Sequence, residues 1–176
     1  VDALLYYTTL SGADTSLKNT IINSATTDAN NNWNNYFEFN ELDLYRAYAN
    51  DWTYHWGSNN EKASFGILNL VFDKYGIKSS SSNSFKLRAK GHLHYFHGVN
   101  PISTVYLSNM SSYGAEKSAN QIYHTWFADG SVWDDASTST YGPAPGFVPG
   151  GPNSGYSGNP TLSPPNNQPL QKSYLD

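Results

Sequence analysis

Eight of the nine prolines lie within the C-terminal segment 141–176, YGPAPGFVPGGPNSGYSGNPTLSPPNNQPLQKSYLD. Proline lacks the backbone N–H that helix interiors and central strands require, so this segment cannot form a long helix or a central strand. Two alternatives remain for it: a disordered tail, or a long ordered loop over a functional face, with Phe147, Val148, Tyr156 and Tyr174 as apolar anchors. Long helices must therefore lie before residue 141.

Apolar residues recur at helical spacing in that earlier part of the chain. The predicted helices are residues 2–10, a second that begins near Asp14, 60–76 and 84–97. The first two form a helical hairpin with Asp14 as an N-cap, and Gly76 and Gly98 end the later two. The segment KSSSSNS is a linker, and 28–59 is a long connection in which ELDLYRAYA is one option for a short helix.

The two later helices each carry a predicted apolar stripe. The stripe of helix 60–76 comprises Ala63, Ile67, Leu68, Val71, Phe72 and Tyr75. The stripe of helix 84–97 comprises Phe85, Arg88, Ala89, His92 and Phe96. The predicted fold class is all-α, with unusually long loops rich in aromatic residues, glycine and proline.

Composition excludes several classes of function. Only 14% of the residues are charged, the net charge is -4, and no cluster of Lys and Arg is present, which argues against a nucleic-acid partner. No apolar run is long enough to span a membrane, and the lack of cysteine rules out disulfides and thiol chemistry. Aromatic residues make up 15% of the chain. Their flat faces, together with many amides and hydroxyls, suit sugar binding, although packing in a core is the alternative.

An acidic stretch that begins within the segment HTWFADG, at Asp129, is a candidate metal site. Asp129, Asp134 and Asp135 could supply carboxylates to calcium, which takes about six to eight oxygen ligands. The histidines of HLHYFH are spaced by two and three residues, so their rings do not share one helix face and are predicted to be structural. No cofactor is required, and structural calcium is the one metal that the pattern suggests.

Five segments resemble, in family order, motifs of glycoside hydrolase family 9, the inverting cellulases. They are DWTYHWGSNN, LHYFHGVNPIS, QIYHTWF, PAPGFVPGGPN and PPNNQPLQKSYLD. The resemblance implies an (α/α)6 barrel that hydrolyses β-1,4-glucan with inversion, using one carboxylate as base and one carboxylic acid as proton donor. It identifies residues 1–176 as the C-terminal portion of one catalytic domain, with 141–176 as a long loop region at the edge of the cleft.

The same resemblance assigns site residues. His124 matches a cleft histidine with an auxiliary catalytic role. The implied substrate-binding residues are Trp56, Tyr54, His55, Trp126, Gly150, Gly151, Asn153, Tyr174 and Asp176. Family members commonly carry an arginine soon after the histidine, whereas Thr125 and Trp126 follow here, so stacking by Trp126 is expected to replace a cation. For Trp56 and Trp126, plain packing is the alternative.

The two catalytic carboxylates of the family have no counterpart in this sequence. The family base belongs to an Asp-Ala-Gly-Asp motif, which occurs nowhere here, and the acid to an Asn-Glu segment just beyond the tyrosine and aspartate run. Both are therefore expected outside these residues, with the remaining half of the barrel supplied by the same parent chain and this portion alone inactive. A noncatalytic glucan-binding module is the alternative. The expected ligand is β-1,4-glucan or cello-oligosaccharide, and the expected location is extracellular.

Overall fold

The structure, a computed structural model, describes residues 1–31, 44–55, 57–122 and 130–152. Over these residues the regular structure is largely helical. The helices are α1 (Asp2–Tyr7), α2 (Thr15–Asn31), α3 (Ser58–Lys74) and α4 (Ser82–Phe96). Single 3-10 turns occur at Asp51–Thr53, Ser79–Ser81 and Ser111–Tyr113. Two short parallel strands, β1 (Val105–Ser108) and β2 (Ser118–Ala119), pair with each other.

The chain divides into two compact units. Unit 1 comprises Val1–Tyr48 and Ser64–His92, and unit 2 comprises Ala49–Ala63 and Leu93–Asp176. Helices α3 and α4 contribute residues to both. No helix in the described ranges is both long and apolar enough to cross a membrane.

Unit 1 begins with the predicted helical hairpin, in which α1 and α2 are in contact. Asp14 caps α2 as expected, because its Oδ1 accepts the backbone N–H of Leu17 at 2.8 Å. The Tyr7 hydroxyl accepts the N–H of Asp14 at 2.9 Å and closes the turn. The first helix ends at Tyr7, earlier than predicted, whereas α2 continues to Asn31.

The core of unit 1 lies among residues of all four helices. Its buried members are Leu5, Ile21, Ala25, Ala29, Phe72, Ile77 and Phe85. Phe72 and Phe85 join α3 to α4 with ring centroids 5.7 Å apart. A buried polar pair crosses the same two helices, since the Arg88 guanidinium donates to Asn69 Oδ1 at 3.3 Å.

The stripe predicted for α4 is confirmed, because all five of its residues are buried. The stripe predicted for α3 is wrong at Ile67, which is 62% exposed. Phe65 is buried instead, and Ile67 lies roughly 200° around the helix from it at 100° per residue. Phe72, two turns beyond Phe65, completes the observed face.

The connections differ from the predictions in three places. Ser82 and Asn83, predicted as linker, form the first turn of α4 together with Ser84, where the helix was predicted to begin. The residues of ELDLYRAYA from Leu44 onward are not helical, and the earlier ones lie outside the described ranges. The two strands were not predicted, because a strand of four residues and one of two leave little periodic signal in the sequence.

The non-helical run at residues 44–50 lies against α4 at a glycine. A Cβ on Gly91 would lie 2.0 Å from the carbonyl oxygen of Arg46, closer than any side chain allows. Glycine within this helix is therefore required by the close approach of another backbone, despite its low helix propensity.

Unit 2 consists largely of loops held by buried polar side chains. Asn100, just after α4, donates from its amide nitrogen to the carbonyls of Tyr95 and Thr104, both at 2.8 Å. Its Oδ1 accepts the N–H groups of Ile102 and Thr104 at 3.3 and 3.2 Å. One buried amide thus satisfies the backbone where α4 ends and the chain turns toward β1.

The proline-rich segment is an ordered loop over residues 141–152. Ser108, at the end of β1, donates from its hydroxyl to the Ala144 carbonyl at 2.6 Å, and the Phe147 carbonyl accepts the Ser108 N–H at 2.8 Å. Asn109 adds a hydrogen bond to the Pro143 carbonyl at 2.8 Å. Residues 153–176, and with them the rest of this prediction, lie outside the described residues.

Candidate functional site

Two of the predicted sugar-binding segments meet at the start of α3. The N–H of Asn59 donates to the Gly150 carbonyl at 2.9 Å, and the Asn59 side-chain amide donates to the Pro149 carbonyl at 2.9 Å. The Ser58 hydroxyl lies 3.5 Å from the same Gly150 oxygen. We call these five residues, Ser58, Asn59 and Pro149–Gly151, the loop–helix junction. It connects stretches about ninety residues apart in sequence.

Gly151 fits the loop–helix junction because it has no side chain. Its φ is +92°, a conformation that L residues rarely adopt, and a Cβ would lie 2.5 Å from Asn59 Cγ and 2.7 Å from Ser58 Oγ. Both Ser58 and Asn59 are fully buried, so neither can move aside into solvent. The backbone of the loop is therefore held directly against the first turn of α3.

A second group of residues surrounds Tyr54. The Lys62 ammonium lies 5.2 Å from the centroid of the Tyr54 ring and 4.4 Å from that of Tyr95. Lys62 is only 2% exposed, which places both cation–π contacts away from water, where they are strongest. Tyr95 in turn stacks on Tyr106 at 5.2 Å. Tyr54 is thus positioned through Lys62 by a buried aromatic pair.

The buried tyrosines are neutral side chains. Burial raises the pKa of Tyr95 far above its usual range, and the neighbouring Tyr106 phenol raises it further. Burial likewise raises the pKa of Tyr106. Neither phenol can serve as a base near neutral pH, so their contribution is to shape and rigidity.

His55 and Tyr54 are both half-buried and lie just before α3. The Tyr54 N–H donates to the backbone carbonyl of Asp51 at 3.1 Å, and the His55 carbonyl accepts the N–H of Ser58 at 3.1 Å. Two short hydrogen-bonded turns therefore connect these residues to the start of α3 and the loop–helix junction. Trp56, which follows His55 in the sequence, lies outside the described residues.

Asp135 anchors the loop of residues 130–142. Its Oδ2 accepts Gln121 Nε2 at 2.6 Å, and its Oδ1 accepts the backbone N–H and the hydroxyl of Ser137 at 2.7 and 2.5 Å. Burial alone would raise the pKa of this carboxyl, but the hydrogen bonds from Ser137 and Gln121 outweigh it and hold the pKa below its ordinary value. Asp135 is therefore a charged structural anchor.

The calcium prediction rests on Asp129, Asp134 and Asp135. Asp134 Oδ2 accepts the N–H of Gly130 at 3.0 Å, and Asp129 lies outside the described residues. Within the described part of the chain no three His, Cys, Asp or Glu side chains converge as metal ligands. The hydrogen bonds to Asp135 leave it fewer lone pairs for an ion.

The structure thus describes four of the predicted substrate-binding residues: Tyr54, His55, Gly150 and Gly151. It brings the two glycines against α3 and sets Tyr54 on Lys62. The remaining predictions at His124, Trp56, Trp126, Asn153, Tyr174 and Asp176 fall outside the described residues.

Three supporting residues were missed by reasoning from sequence. Ser58 and Asn59 were visible only as part of the quoted Trp-Gly-Ser-Asn motif, and their role depends on a loop far along the chain. Lys62 carried a weak signal, as a cation closely followed by Ala63 and Phe65 on a helix. Aromatic rings, amides and hydroxyls around a rigid loop are suited to bind a neutral polyol.

The model for glycosyl hydrolase family 9 matches residues 2–176. Comparison with curated proteins and with solved structures gives no match.

Proposed function

This chain belongs to glycosyl hydrolase family 9, and from that premise we propose that it forms part of a catalytic domain that hydrolyses β-1,4-glucan with inversion. Family membership supports glycoside hydrolase activity, generally of the cellulase type. The observation that carries the proposal is the match over residues 2–176, within which two motifs of the family resemblance meet at the loop–helix junction.

In this proposal the chain supplies one wall of a sugar-binding cleft in an (α/α)6 barrel. His124 donates a hydrogen bond to a sugar hydroxyl near the scissile bond, and Trp56 and Trp126 stack on pyranose rings. Tyr54, His55, Gly150, Gly151 and Asn153 border the same chain of sugars, and Tyr174 and Asp176 lie near the acid. The rigid backbone at Gly150 and Gly151 supports this role, since an ordered loop edge binds without paying an ordering cost.

The catalytic acid and base are proposed to lie outside these residues. Support comes from the Asp-Ala-Gly-Asp motif, which is absent from the sequence. The same absence favours the alternative, a noncatalytic glucan-binding module that keeps the aromatic residues without the carboxylate pair.

The rest of the barrel is proposed to cover apolar side chains that the described helices expose. Leu4 on α1, Leu17 on α2 and Leu70 on α3 are 60%, 47% and 51% exposed. Exposed leucines on successive helices are typical of a surface that packs on another segment. Cellulose is an extracellular polymer, so a secreted location follows from the proposed substrate.

Structural calcium at Asp129, Asp134 and Asp135 remains a prediction. A fall in Tm on addition of EGTA, reversed by calcium and reduced in Asp134→Asn, would support it. An unchanged Tm would remove calcium from the proposal without affecting the hydrolytic role.

Hydrolysis of carboxymethyl-cellulose by the complete protein tests the proposed function. His124→Ala is expected to lower kcat/KM by roughly ten- to a hundredfold, the equivalent of about 1–3 kcal/mol for an unpaired hydrogen-bonding group. His94→Ala, at an exposed histidine of α4, is the matched control and should leave kcat/KM unchanged. Glucan binding without hydrolysis would favour the noncatalytic alternative, and activity in the 176-residue chain alone would contradict the placement of the acid and base.

A further inference from the structure

Two aromatic rings stack on each other at the surface of unit 2. Trp133 and Tyr141 have ring centroids 4.7 Å apart and planes 27° apart, and the residues are 43% and 63% exposed. Stacked rings of this kind are ordinarily a packing device within a core. Here the pair faces water, on a loop that comes before the Gly150 segment.

Backbone hydrogen bonds fix the separation of the two rings. The Val132 carbonyl accepts the N–H of Tyr141 at 2.9 Å and that of Gly142 at 3.2 Å. Trp133 follows Val132 directly, so the two ring-bearing residues sit beside the closed base of the loop. The rings are consequently held in place before any ligand arrives, which lowers the entropy cost of binding.

Asp135 secures the same loop from within. Its carboxylate joins Gln121 to Ser137, and its backbone N–H donates to the Ser139 hydroxyl at 3.0 Å. The Asn120 carbonyl also accepts the N–H of Ala136 at 2.9 Å. Burial of a carboxylate costs desolvation energy, which the hydrogen bonds from Gln121 and Ser137 offset here, and the same hydrogen bonds hold the loop in one conformation.

The exposed ring surface is flat and uncharged. One face of Tyr141 packs on Trp133, so its large exposure comes mainly from the opposite face and the ring edge. The loop from 130 to 142 contains no Lys or Arg, and its two acidic residues disfavour an anionic ligand. The loop also carries five neutral hydroxyl side chains, those of Ser131, Ser137, Thr138, Ser139 and Thr140. This chemistry matches the C–H face of a neutral pyranose.

We propose that Trp133 and Tyr141 form a second sugar-binding platform, on which Tyr141 stacks against a glucose ring of a β-glucan chain and Trp133 supports Tyr141 from behind. The identity of the sugar rests on the proposed function. Neither ring is among the residues that the sequence motifs assign to substrate binding. Asp135 is a positioning residue for this platform.

Equilibrium binding of cellohexaose to the complete protein, measured by calorimetry, tests the platform. Tyr141→Ala is expected to raise Kd roughly three- to tenfold, in line with the value of a single aromatic contact. Tyr141→Phe should bind like the wild type, because stacking uses the ring and not the hydroxyl. Tyr113→Ala, at a tyrosine that is 71% exposed, is the matched control and should leave Kd unchanged.

A double-mutant cycle distinguishes support from independent contact. If Trp133 acts through Tyr141, the double variant Trp133→Ala/Tyr141→Ala should bind no more weakly than Tyr141→Ala alone. Additive losses would overturn the supporting role of Trp133. Wild-type affinity in Tyr141→Ala, or no measurable binding by the wild type, would overturn the platform itself.

The binding assay is independent of hydrolysis. Failure of the complete protein to hydrolyse β-1,4-glucan would contradict the proposed function, yet the affinity ratio of wild type to Tyr141→Ala would still report on the platform. Normal hydrolysis with an unchanged affinity in Tyr141→Ala would contradict the platform alone.

Discussion

Replacement of Gly151 by alanine tests the loop–helix junction through two separate physical effects. The residue has φ +92°, and a Cβ would lie 2.5 Å from Asn59 Cγ and 2.6 Å from Asn59 Oδ1. The backbone conformation alone costs roughly 1–2 kcal/mol for a residue with a side chain. Displacement of Asn59 breaks its hydrogen bonds to Pro149 and Gly150 inside the protein, which adds about 1–3 kcal/mol.

Gly146→Ala separates the two effects. Gly146 has φ +82°, in the same loop, but a Cβ there meets nothing within 4 Å. This variant should therefore show only the conformational cost, about 1–2 kcal/mol. The excess destabilisation of Gly151→Ala over Gly146→Ala measures the contact with Asn59.

Urea denaturation of both variants gives the free energy of unfolding, and thermal melting gives a second estimate. We expect Gly151→Ala to lose about 2–5 kcal/mol in total, with a fall in Tm of about 2–4 °C for each kcal/mol at this chain length. Equal losses in the two variants would refute the reasoning, since they would show that Asn59 and Gly151 do not approach each other as closely as the structure indicates.

Three further substitutions test other parts of the structure. Replacement of glycine by alanine ordinarily stabilises a helix by about 1 kcal/mol. Gly91→Ala should instead lower the free energy of unfolding in urea by about 1–3 kcal/mol, because the new Cβ collides with the Arg46 carbonyl. A stabilised variant would contradict the close approach of Arg46 to Gly91. Lys62→Met should lower the free energy of unfolding by about 1–2 kcal/mol through loss of its two cation–π contacts, and an unchanged urea midpoint would argue against them. Asp135→Asn should be less stable at pH 7. Because the pKa of Asp135 is lowered in the folded state, the stability that its ionised form contributes is present above the unfolded pKa near 3.8 and is lost as the pH falls through the lower folded pKa. The difference in stability between wild type and Asp135→Asn should thus become smaller below about pH 4. A constant difference across a pH series of thermal melts would show that the ionised carboxylate of Asp135 does not stabilise the fold.

The sequence was sufficient to predict α3 and α4 because each is long and carries a repeated apolar stripe, and to predict α2 because apolar residues at helical spacing follow the N-cap Asp14. Their limits were predicted within a few residues where a cap was recognisable, as at Asp14. The error at Ile67 has a simple cause: five residues separate it from Phe72, so the two cannot share a face of one helix.

Loop structure was much less predictable. The order of residues 141–152 depends on hydrogen bonds to Ser108 and Asn59, which lie far away in the sequence, and no local pattern reveals such partners. The glycines of PGGPN were recognised from the family resemblance. The steric reason for Gly151, the close approach to Asn59, required coordinates.

The same limit applies to the candidate site. Tyr54 was predicted to bind substrate because it lies just before the Trp-Gly-Ser-Asn motif. Its contact with Lys62 depends on how the chain turns between the 3-10 helix Asp51–Thr53 and α3. Trp133 and Tyr141 are likewise eight residues apart in sequence, and their rings stack only because backbone hydrogen bonds close the base of the loop between them.

Proton NMR of cellopentaose during hydrolysis by the complete protein tests the central claim most directly. We expect the new reducing ends to appear first as the α-anomer and then to mutarotate, because an inverting hydrolase converts each β-linkage to an α-product. Initial release of the β-anomer, or intact cellopentaose after prolonged incubation with folded protein, would contradict it.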